Sequence, residues 1–262
     1  MAYKLLALDL DGTLLMPDLS IPAEVRAALL ALQARGVCVT LSTGRMFTTA
    51  EAYARDLGLH APLVCYNGAA LRAPGEQPLL WEPLTRELQD AVLACCERNG
   101  WYAQLYNDDR IVVARETEDT RADPDLRTLP CREVGRLTRA ALDLSPKIMT
   151  RSAPCETRFR AAVLDRATDG QLYIAASTPN LVEMMRRGVG KARALTALCG
   201  HLGITPAEAV VCGDSGNDLD MVRWAGLGCA VGNALPVLRD AAAYVCQHSN
   251  SFGVLEVIQR FF

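Results

Sequence analysis

Two aspartates near the amino terminus are the residues of this sequence best suited to chemistry. Asp9 and Asp11 end an apolar run that begins at Leu5, and Gly12 and Thr13 follow them. An apolar run before a glycine turn predicts a strand buried on both faces of a parallel sheet. Ligands of open α/β sheets collect beyond the carboxyl ends of the strands, so this position favours chemistry over packing. The alternatives are a solvated Asp-Gly turn and the start of a calcium loop, although the later acidic positions of such a loop are missing.

Polar groups also follow two other predicted strands, and a lysine begins a predicted helix. In chain order they are Ser42, Thr43, Gly44 and Arg45 after residues 37–41, Lys191 at the start of the helical pattern 191–202, and Gly213, Asp214, Asn217 and Asp218 after residues 209–212. Carboxylates that converge on one site repel each other unless a cation neutralises them, and all-oxygen coordination suits Mg²⁺. The pattern therefore predicts a metal-dependent phosphoryl-transfer site with a nucleophile, a proton donor and groups that bind the phosphoryl oxygens.

Strands and helices alternate in the two end portions of the chain, which carry these groups. Apolar runs predict a first strand that starts near residue 4 and ends at Asp9 and Asp11, and further strands at residues 37–41, 63–66, 209–212, 229–231 and 244–245. Apolar residues at helical spacing predict helices at 22–35, 47–57, 191–202, 219–224, 236–243 and 254–261. This order requires right-handed crossovers between parallel strands. It therefore predicts an α/β fold with a Rossmann-like, doubly wound parallel sheet.

The pattern changes in the middle of the chain. The predicted elements there are a hairpin at residues 69–82, helices at 86–98 and 156–167, and strands at 101–106, 110–114, 147–150, 171–176 and 181–185. Residues 107–109 have the composition of a tight hairpin turn, and a loop rich in Asp, Arg and Pro is expected after residue 114. Helices with antiparallel hairpins indicate an α+β unit. We therefore expect an α/β core domain from residues 1–83 and 188–262, with an inserted α+β domain from residues 84–187.

Composition excludes several classes of protein. The 262 residues are 50% hydrophobic, which is enough for two packed domains, and the net charge of −3 gives no basic field for a nucleic acid. Nucleic acid is therefore not an expected partner. No apolar segment approaches the roughly 18 residues that span a bilayer, so a membrane is not an expected partner either, and the protein is predicted to be cytoplasmic. The ten cysteines include no Cys-x-x-Cys pair and are expected to be reduced. The pattern leaves the oligomeric state open.

The whole chain resembles the haloacid dehalogenase (HAD) superfamily of phosphatases, and within it the Cof-type branch. That branch carries an α+β cap, called C2B, inserted after the third core strand. Residues 9–14 resemble the first family motif, residues 43–45 the second, Lys191 the third and residues 213–218 the fourth, in the order of the family. The phrases Tyr66-Asn67-Gly68-Ala69 and Val231-Gly232-Asn233-Ala234 are also typical of the branch. The chain departs from the family pattern at Ala192, where glycine is frequent, and at Ser251, where an acidic residue is common.

The resemblance implies a Mg²⁺-dependent phosphatase that acts on a small phosphorylated metabolite, such as a sugar phosphate or a phosphorylated cofactor. It implies that Asp9 attacks phosphorus and becomes an aspartyl phosphate, and that Asp11 protonates the leaving oxygen and then activates water. Mg²⁺ is expected on Asp9, the backbone carbonyl of Asp11 and Asp214, with Asp218 nearby or reaching it through water. The phosphoryl oxygens are expected on Thr43, the amide of Gly44 and Lys191, with help from the amide of Leu10 and the side chain of Asn217.

Simpler structural roles remain open for some of these residues. Thr43 could cap the helix that follows it, Asp218 and Asp220 could stabilise the helix they open, and Asn67-Gly68 is most simply a turn. Lys191 stands at a helix start, where the helix dipole disfavours a cation unless an anion binds there. Two other functions also remain open: a phosphomutase with the same nucleophile, and a regulatory binding protein that has lost turnover.

Overall fold

The structure is a computed structural model that describes residues 3–107, 110–122, 130–175 and 179–262. The chain divides into two compact units, Met1–Leu80 with Gly190–Phe262, and Trp81–Val189. The predicted turn at residues 107–109 and the predicted end of a strand at residue 176 lie wholly or partly outside the described residues. Among the described residues, no helix has both the length and the apolar character needed to cross a membrane.

The helices and strands follow the predicted order closely. In chain order the strands are β1 (Leu5–Leu8), β2 (Cys38–Leu41), β3 (Leu63–Cys65), β4 (Ala70–Arg72), β5 (Leu80–Trp81), β6 (Gln104–Asn107), β7 (Arg110–Val113), β8 (Cys131–Glu133), β9 (Ile148–Arg151), β10 (Leu172–Ala175), β11 (Leu181–Arg186), β12 (Ala209–Gly213), β13 (Leu227–Ala230) and β14 (Tyr244–Val245). The helices are α1 (Ala23–Ala34), α2 (Phe47–Asp56), α3 (Arg86–Arg98), α4 (Glu118–Arg121), α5 (Thr157–Ala167), α6 (Lys191–Leu202), α7 (Leu219–Trp224), α8 (Pro236–Arg239) and α9 (Asn250–Phe261).

A parallel five-stranded sheet forms the centre of the first unit, with the strand order β14-β13-β12-β1-β2. β1 lies between two neighbours, because Leu8 is in register with both Cys212 and Leu41, and all four of its residues are buried. The backbone N–H of Asp9 donates to the carbonyl of Cys212 at 3.0 Å, so the chain leaves the sheet beside the end of β12. The predicted α/β fold with a doubly wound parallel sheet is confirmed.

β3 joins the parallel sheet less fully than expected for its third strand. A single parallel bridge, between Ser42 and Val64, connects β3 to the end of β2. β3 instead pairs in antiparallel fashion with β4, within a three-stranded sheet of order β3-β4-β5. Tyr66 and Asn67 both have positive φ, at 53° and 55°, and this tight reversal turns the chain back into β4.

Two helix boundaries near the carboxyl terminus differ from the prediction. α8 ends at Arg239 rather than residue 243, because the N–H of Ala243 donates to the carbonyl of Gly228 and draws the chain into the sheet. α9 begins at Asn250 rather than residue 254. Its first turn, residues 250–253, has one apolar side chain, Phe252, which is exposed, and therefore lacks the apolar periodicity that marks the rest of the helix.

The second unit is α+β, as predicted. Its six-stranded sheet has the order β10-β11-β9-β6-β7-β8, antiparallel throughout except for the parallel β7–β8 pair. Buried residues of α3 and α5, among them Val92 and Leu164, share one apolar cluster with the strand residues Leu105, Ile148 and Met184.

β8 and the short α4 lie in the segment predicted as a loop, so that prediction was wrong in part. β8 is an edge strand in which Arg132 and Glu133 are exposed, and its backbone pairs with β7. Backbone pairing of this kind needs no alternation of apolar and polar side chains, which is the signal that reveals a half-buried strand in a sequence.

Candidate active site

The chain after β1 forms a wide turn that carries both aspartates of the first motif. The N–H of Leu14 donates to the carbonyl of Asp9 at 3.2 Å, and the N–H of Leu15 donates to that of Leu10 at 2.8 Å. Gly12 has φ of +81°, a conformation that side chains other than glycine rarely adopt. The Asp9 side chain is buried and only 6% exposed, whereas the Asp11 side chain is 52% exposed.

Lys191 lies between two buried carboxylates. Its Nζ is 2.7 Å from Oδ1 of Asp9 and 2.6 Å from Oδ1 of Asp218, and the lysine side chain is fully buried. Burial alone would lower the pKa of Lys191, but the charges of Asp218 and Asp9 outweigh it and raise this pKa above its ordinary value. The lysine is therefore a fixed cation at the site.

Asp214 completes the acidic cluster. Carboxylate oxygens of Asp9, Asp214 and Asp218 lie within 4.8 Å of one another, and the hydroxyl of Thr13 donates to Oδ1 of Asp214 at 3.2 Å. Burial raises the pKa of Asp9 well above its ordinary value, although Lys191 opposes the rise. Burial and then the charge of Asp218 raise the pKa of Asp214 to about 7.

These donors fit a divalent cation. Three ionised carboxylates beside one lysine leave two uncompensated negative charges in a buried space. Burial and this repulsion between carboxylates raise the pKa values of Asp9 and Asp214. Carboxylate oxygens are the ligands that Mg²⁺ prefers. The oxygens of Asp218 already accept hydrogen bonds, Oδ1 from Lys191 and Oδ2 from the N–H groups of Asp214 and Ser215 at 3.0 and 3.1 Å.

The second motif, residues 43–45, follows β2, and its Thr43 does not cap the next helix, α2. The N–H of Thr43 donates to the carbonyl of Val64 at 2.9 Å, and its buried hydroxyl accepts from the N–H of Arg45 at 3.1 Å. α2 begins only at Phe47, and the preceding Met46 makes no side-chain cap. The interpretation of Thr43 as a helix cap is therefore wrong.

An asparagine pair connects the second motif with the fourth. Nδ2 of Asn217 donates to Oδ1 of Asn67 at 3.0 Å, and a Cβ on Gly44 would stand 2.8 Å from the same Oδ1. A Cβ on Gly68 would stand only 2.1 Å from the carbonyl of Gly190, so this turn packs directly against the start of α6. Asn67 had been interpreted most simply as a turn residue. The sequence offered two signals for it, its position after a strand and before a glycine and its place in the phrase Tyr66-Asn67-Gly68-Ala69, but neither indicated its partner.

Arg45 holds Asp11, a contact that the sequence analysis missed. Nε and Nη2 of Arg45 donate to Oδ2 and Oδ1 of Asp11 at 2.7 and 2.6 Å, a bidentate pair. The guanidinium also lies 5.3 Å from the ring centre of Tyr53, and the side chain is 7% exposed. Arg45 was visible in the second motif, but nothing in its spacing indicated its partner.

Asp220 is bound to the start of α6 as well as to its own helix. Its Oδ2 accepts from the N–H of Ala192 at 3.0 Å, and its Oδ1 accepts from the N–H of Met221 at 2.7 Å. A Cβ on Gly190 would stand 2.5 Å from Oδ2 of Asp220, so the chain approaches closely there. The carboxylate thus caps the helix that begins with Lys191. The interpretation that Asp220 serves only its own helix was incomplete.

The structure places the residues predicted for the site in two connected groups. Asp9, Asp214, Asp218 and Lys191 form the buried charged cluster, and Gly44 meets Asn217 through Asn67. Thr43 precedes Gly44 and is fully buried. Asp11 lies in the turn after Asp9, with its carboxylate on Arg45. Leu10 is buried, and its carbonyl accepts from Leu15.

Comparison with known proteins agrees with this fold and these motifs. Residues 6–258 match the family described as haloacid dehalogenase-like hydrolase. An HMP-PP phosphatase of Cronobacter sakazakii is 32% identical over 247 residues, which cover 90% of this chain and 86% of that protein. The crystal structure of a haloacid dehalogenase-like hydrolase from Bacteroides thetaiotaomicron has a TM-score of 0.89 and 27% identity, and covers 99% of this chain and 100% of that one.

A sugar phosphatase of HAD subclass IIB, BT4131, is also similar. It has a TM-score of 0.80 and 25% identity, and covers 93% of each chain. The family match spans nearly the whole chain, three of the motifs follow strands β1, β2 and β12 of the parallel sheet, and Lys191 begins α6. The chain therefore belongs to the haloacid dehalogenase-like hydrolase family, and it is a phosphatase of the HAD superfamily.

Proposed function

We propose that this phosphatase hydrolyses a small phosphorylated metabolite, a sugar phosphate or a phosphorylated cofactor, through an aspartyl phosphate on Asp9 and with Mg²⁺. The observation that carries the proposal is the buried Asp9 carboxylate, held by Lys191 beside oxygens of Asp214 and Asp218. The names HMP-PP phosphatase and sugar phosphatase support a small phosphorylated substrate.

Asp9 is the nucleophile in this proposal. Lys191 fixes Oδ1 of Asp9, which directs Oδ2 to the phosphorus atom. A bond forms between Oδ2 and phosphorus while the bond from phosphorus to the leaving oxygen breaks, and water then cleaves the aspartyl phosphate to release inorganic phosphate. The fixed ammonium of Lys191 also balances charge that develops on the phosphoryl oxygens.

Asp11 is the proposed acid and base, and Arg45 is its positioning residue. The carbonyl oxygen of a protonated Asp11 can keep one hydrogen bond of the Arg45 fork while its O–H turns to the leaving oxygen, so Arg45 aims the carboxyl group during proton donation. Asp11 then returns as a carboxylate and takes a proton from the attacking water.

The remaining groups hold the metal and the phosphoryl oxygens. We propose that Asp9, Asp214 and the carbonyl of Asp11 bind Mg²⁺, with Asp218 acting through water. The ion, when bound, supplies positive charge for the transferring phosphoryl group. The phosphoryl oxygens are proposed to bind Lys191 and four further groups, namely the hydroxyl of Thr43, the amides of Gly44 and Leu10, and the side chain of Asn217.

We further propose that residues 84–187 form a cap of the C2B type, that the core consists of residues 1–83 and 188–262, and that the protein acts in the cytoplasm. The cap is proposed to set substrate choice, because the core groups recognise only the phosphate that all candidate substrates share. Arg158 is a suitable probe, because its side chain is exposed on α5 of the second unit and can be replaced without leaving a buried charge unpaired. Arg158→Met should change the ratio of kcat/KM between natural phosphates more than it changes hydrolysis of p-nitrophenyl phosphate. Unchanged ratios in this and similar variants would contradict the role of the cap.

The decisive experiment measures phosphate release by Asp9→Asn from a panel of phosphorylated metabolites and from p-nitrophenyl phosphate. The asparagine keeps the shape and removes the attacking anion, so we expect activity to fall by about 10³-fold or more with little loss of stability. Asp56→Asn, at an exposed aspartate paired with Arg26, is the matched control. EDTA should abolish the wild-type activity, and Mg²⁺ should restore it better than Ca²⁺.

The same assays test the alternatives. If Asp9→Asn keeps a tenth of the wild-type activity, or if the EDTA-treated protein is fully active, the proposal is wrong. Phosphate release without a bisphosphate activator separates a phosphatase from a phosphomutase. A protein that binds phosphorylated metabolites but turns none of them over would be a regulatory binding protein.

A further inference from the structure

The wide turn after Asp9 is held by three side chains from the far end of the chain. Nδ2 of Asn233 donates to the carbonyl of Gly12 at 2.8 Å, and Nδ2 of Asn250 donates to the same carbonyl at 3.0 Å. Nδ2 of Asn250 also lies 3.1 Å from the carbonyl of Leu15, and the hydroxyl of Ser251 donates to that of Leu14. We call Asn233, Asn250 and Ser251 the amide clamp.

Two members of the amide clamp are also hydrogen-bonded to each other. The backbone N–H of Asn250 donates to Oδ1 of Asn233 at 2.8 Å, so the two amide side chains are fixed as a pair. Asn250 has a φ of 50°, in the left-handed region that asparagine tolerates better than most residues. Ser251 is fully buried. Asn233 and Ser251 lie in two segments that the sequence analysis singled out without assigning a role to them.

The carbonyl of Gly12 connects the amide clamp to the acidic cluster. Two side-chain amides on this carbonyl fix the plane of the Gly12–Thr13 peptide, and the hydroxyl of Thr13 donates to Oδ1 of Asp214 at 3.2 Å. On the other side of the same turn, the space where Gly12 would carry a Cβ is taken by Oδ2 of Asp214, at 2.4 Å. A rotation of this peptide would therefore displace Asp214 and the neighbouring carbonyl of Asp11.

We infer that Asn250, supported by Asn233 and Ser251, is a positioning residue for the metal-binding groups Asp214 and Asp11. The inference rests on the proposed Mg²⁺-dependent function. Residues that orient metal ligands through hydrogen bonds typically change metal affinity or activity by about 10- to 100-fold when they are replaced. The alternative is that the amide clamp only ties α9 to the rest of its unit, in which case its loss lowers stability alone.

Asn250→Gly is the principal test variant. Glycine adopts φ of 50° without strain, so the substitution removes the two amide contacts and leaves the backbone free to keep its conformation. Asn250→Asp keeps the shape but presents an acceptor to the carbonyls of Gly12 and Leu15. Asp169→Gly is the matched control, because Asp169 is exposed, has φ of 48° and lies in the second unit.

The test combines three measurements on each purified full-length variant. Calorimetric titration with Mg²⁺ in the absence of substrate should give a Kd about tenfold higher or more for both Asn250 variants than for the wild type. Saturating Mg²⁺ should leave KM for p-nitrophenyl phosphate within about twofold, whereas kcat falls about tenfold. Ser251→Ala should change Mg²⁺ affinity in the same direction by less, and Asp169→Gly should change only the melting temperature.

Two results would overturn the inference, and they are distinguishable. If the wild type depends on Mg²⁺ but the Asn250 variants and Ser251→Ala bind Mg²⁺ and turn over like the wild type, the amide clamp is structural only. If the wild type neither binds Mg²⁺ nor needs it, the proposed function fails and the inference fails with it. Ser251→Ala removes a single hydroxyl. If Asn250→Gly does not fold, the Mg²⁺ affinity of Ser251→Ala still tests the inference.

Discussion

Gly12→Ala perturbs the position of one proposed metal ligand through a single added methyl group. Gly12 has φ of +81°, and its Cβ would stand 2.4 Å from Oδ2 and 2.8 Å from Cγ of Asp214. Ordinary contact begins at 3.4 Å. Either the turn or the Asp214 carboxylate must therefore move by about 1 Å, and a shift of that size in catalytic groups costs about 10²-fold in rate.

Two separate energies follow from this substitution. The left-handed conformation costs alanine about 1–2 kcal/mol, which in a chain of this size corresponds to a loss of about 2–8 °C in melting temperature. The displacement of Asp214 should raise the activation barrier by about 2.7 kcal/mol, the equivalent of about 10²-fold in kcat/KM. The first energy concerns folding, and the second concerns only the site.

Gly36→Ala separates the two energies. Gly36 has nearly the same φ, +85°, but nothing lies within 4 Å of the position of its Cβ. We expect the melting temperature to fall by a similar amount in both variants. Only Gly12→Ala should also lose phosphatase activity and Mg²⁺ affinity. The assay is hydrolysis of p-nitrophenyl phosphate as a function of Mg²⁺ concentration. If Gly12→Ala is as active as Gly36→Ala, the position of Asp214 does not limit the reaction and our assignment of its role is wrong.

Two further predictions concern charge. The pKa of Asp214 is raised by burial from 3.8 to about 7, so the metal-free folded protein holds a proton there that the unfolded chain has released. The free energy of unfolding in EDTA should consequently fall as the pH rises from about 4 to 7 and should level off above pH 7. If the melting temperature of Asp214→Asn depends on pH in this range just as that of the wild type does, this prediction is wrong. Arg45→Lys should keep the charge but lose the bidentate hold on Asp11, and lower kcat about tenfold. Because Arg45 is proposed to act through Asp11, Arg45→Lys should cost little more in an Asp11→Asn background, and additive losses would argue against that role.

The secondary structure and the main acidic residues were predictable because their signals are local. The apolar run 5–8, the alternation of strands and helices, and the start of α6 at Lys191 depend on the periodicity of neighbouring residues. Parallel strands align their carboxyl ends, so polar groups that follow β1, β2 and β12 had to lie at one edge of the sheet. The meeting of Asp9 with Asp214 follows from this alignment, and the resemblance to the family adds Lys191 at the start of α6.

Elements held by backbone pairing alone were harder to predict. β8 is a charged edge strand with no alternation of apolar side chains, and β3 prefers an antiparallel partner after a turn with positive φ at Tyr66 and Asn67. Both choices depend on which strands become neighbours after folding. Hydrogen bonds between backbones carry almost no signature in side-chain type.

The α/β fold with its inserted α+β unit, the family and the charged groups at the strand ends were all readable from residue types and their spacing. Only the tertiary structure revealed the contacts that orient those groups: Arg45 on Asp11, Asp220 on the start of α6, Asn67 on Asn217, and the amide clamp on the turn after Asp9. Each joins a side chain to a side chain or backbone group that lies 28 to 238 residues away in the sequence. Asparagine, arginine and aspartate have many possible partners on any surface, and the folded chain selects one by bringing a particular donor and acceptor within hydrogen-bond distance.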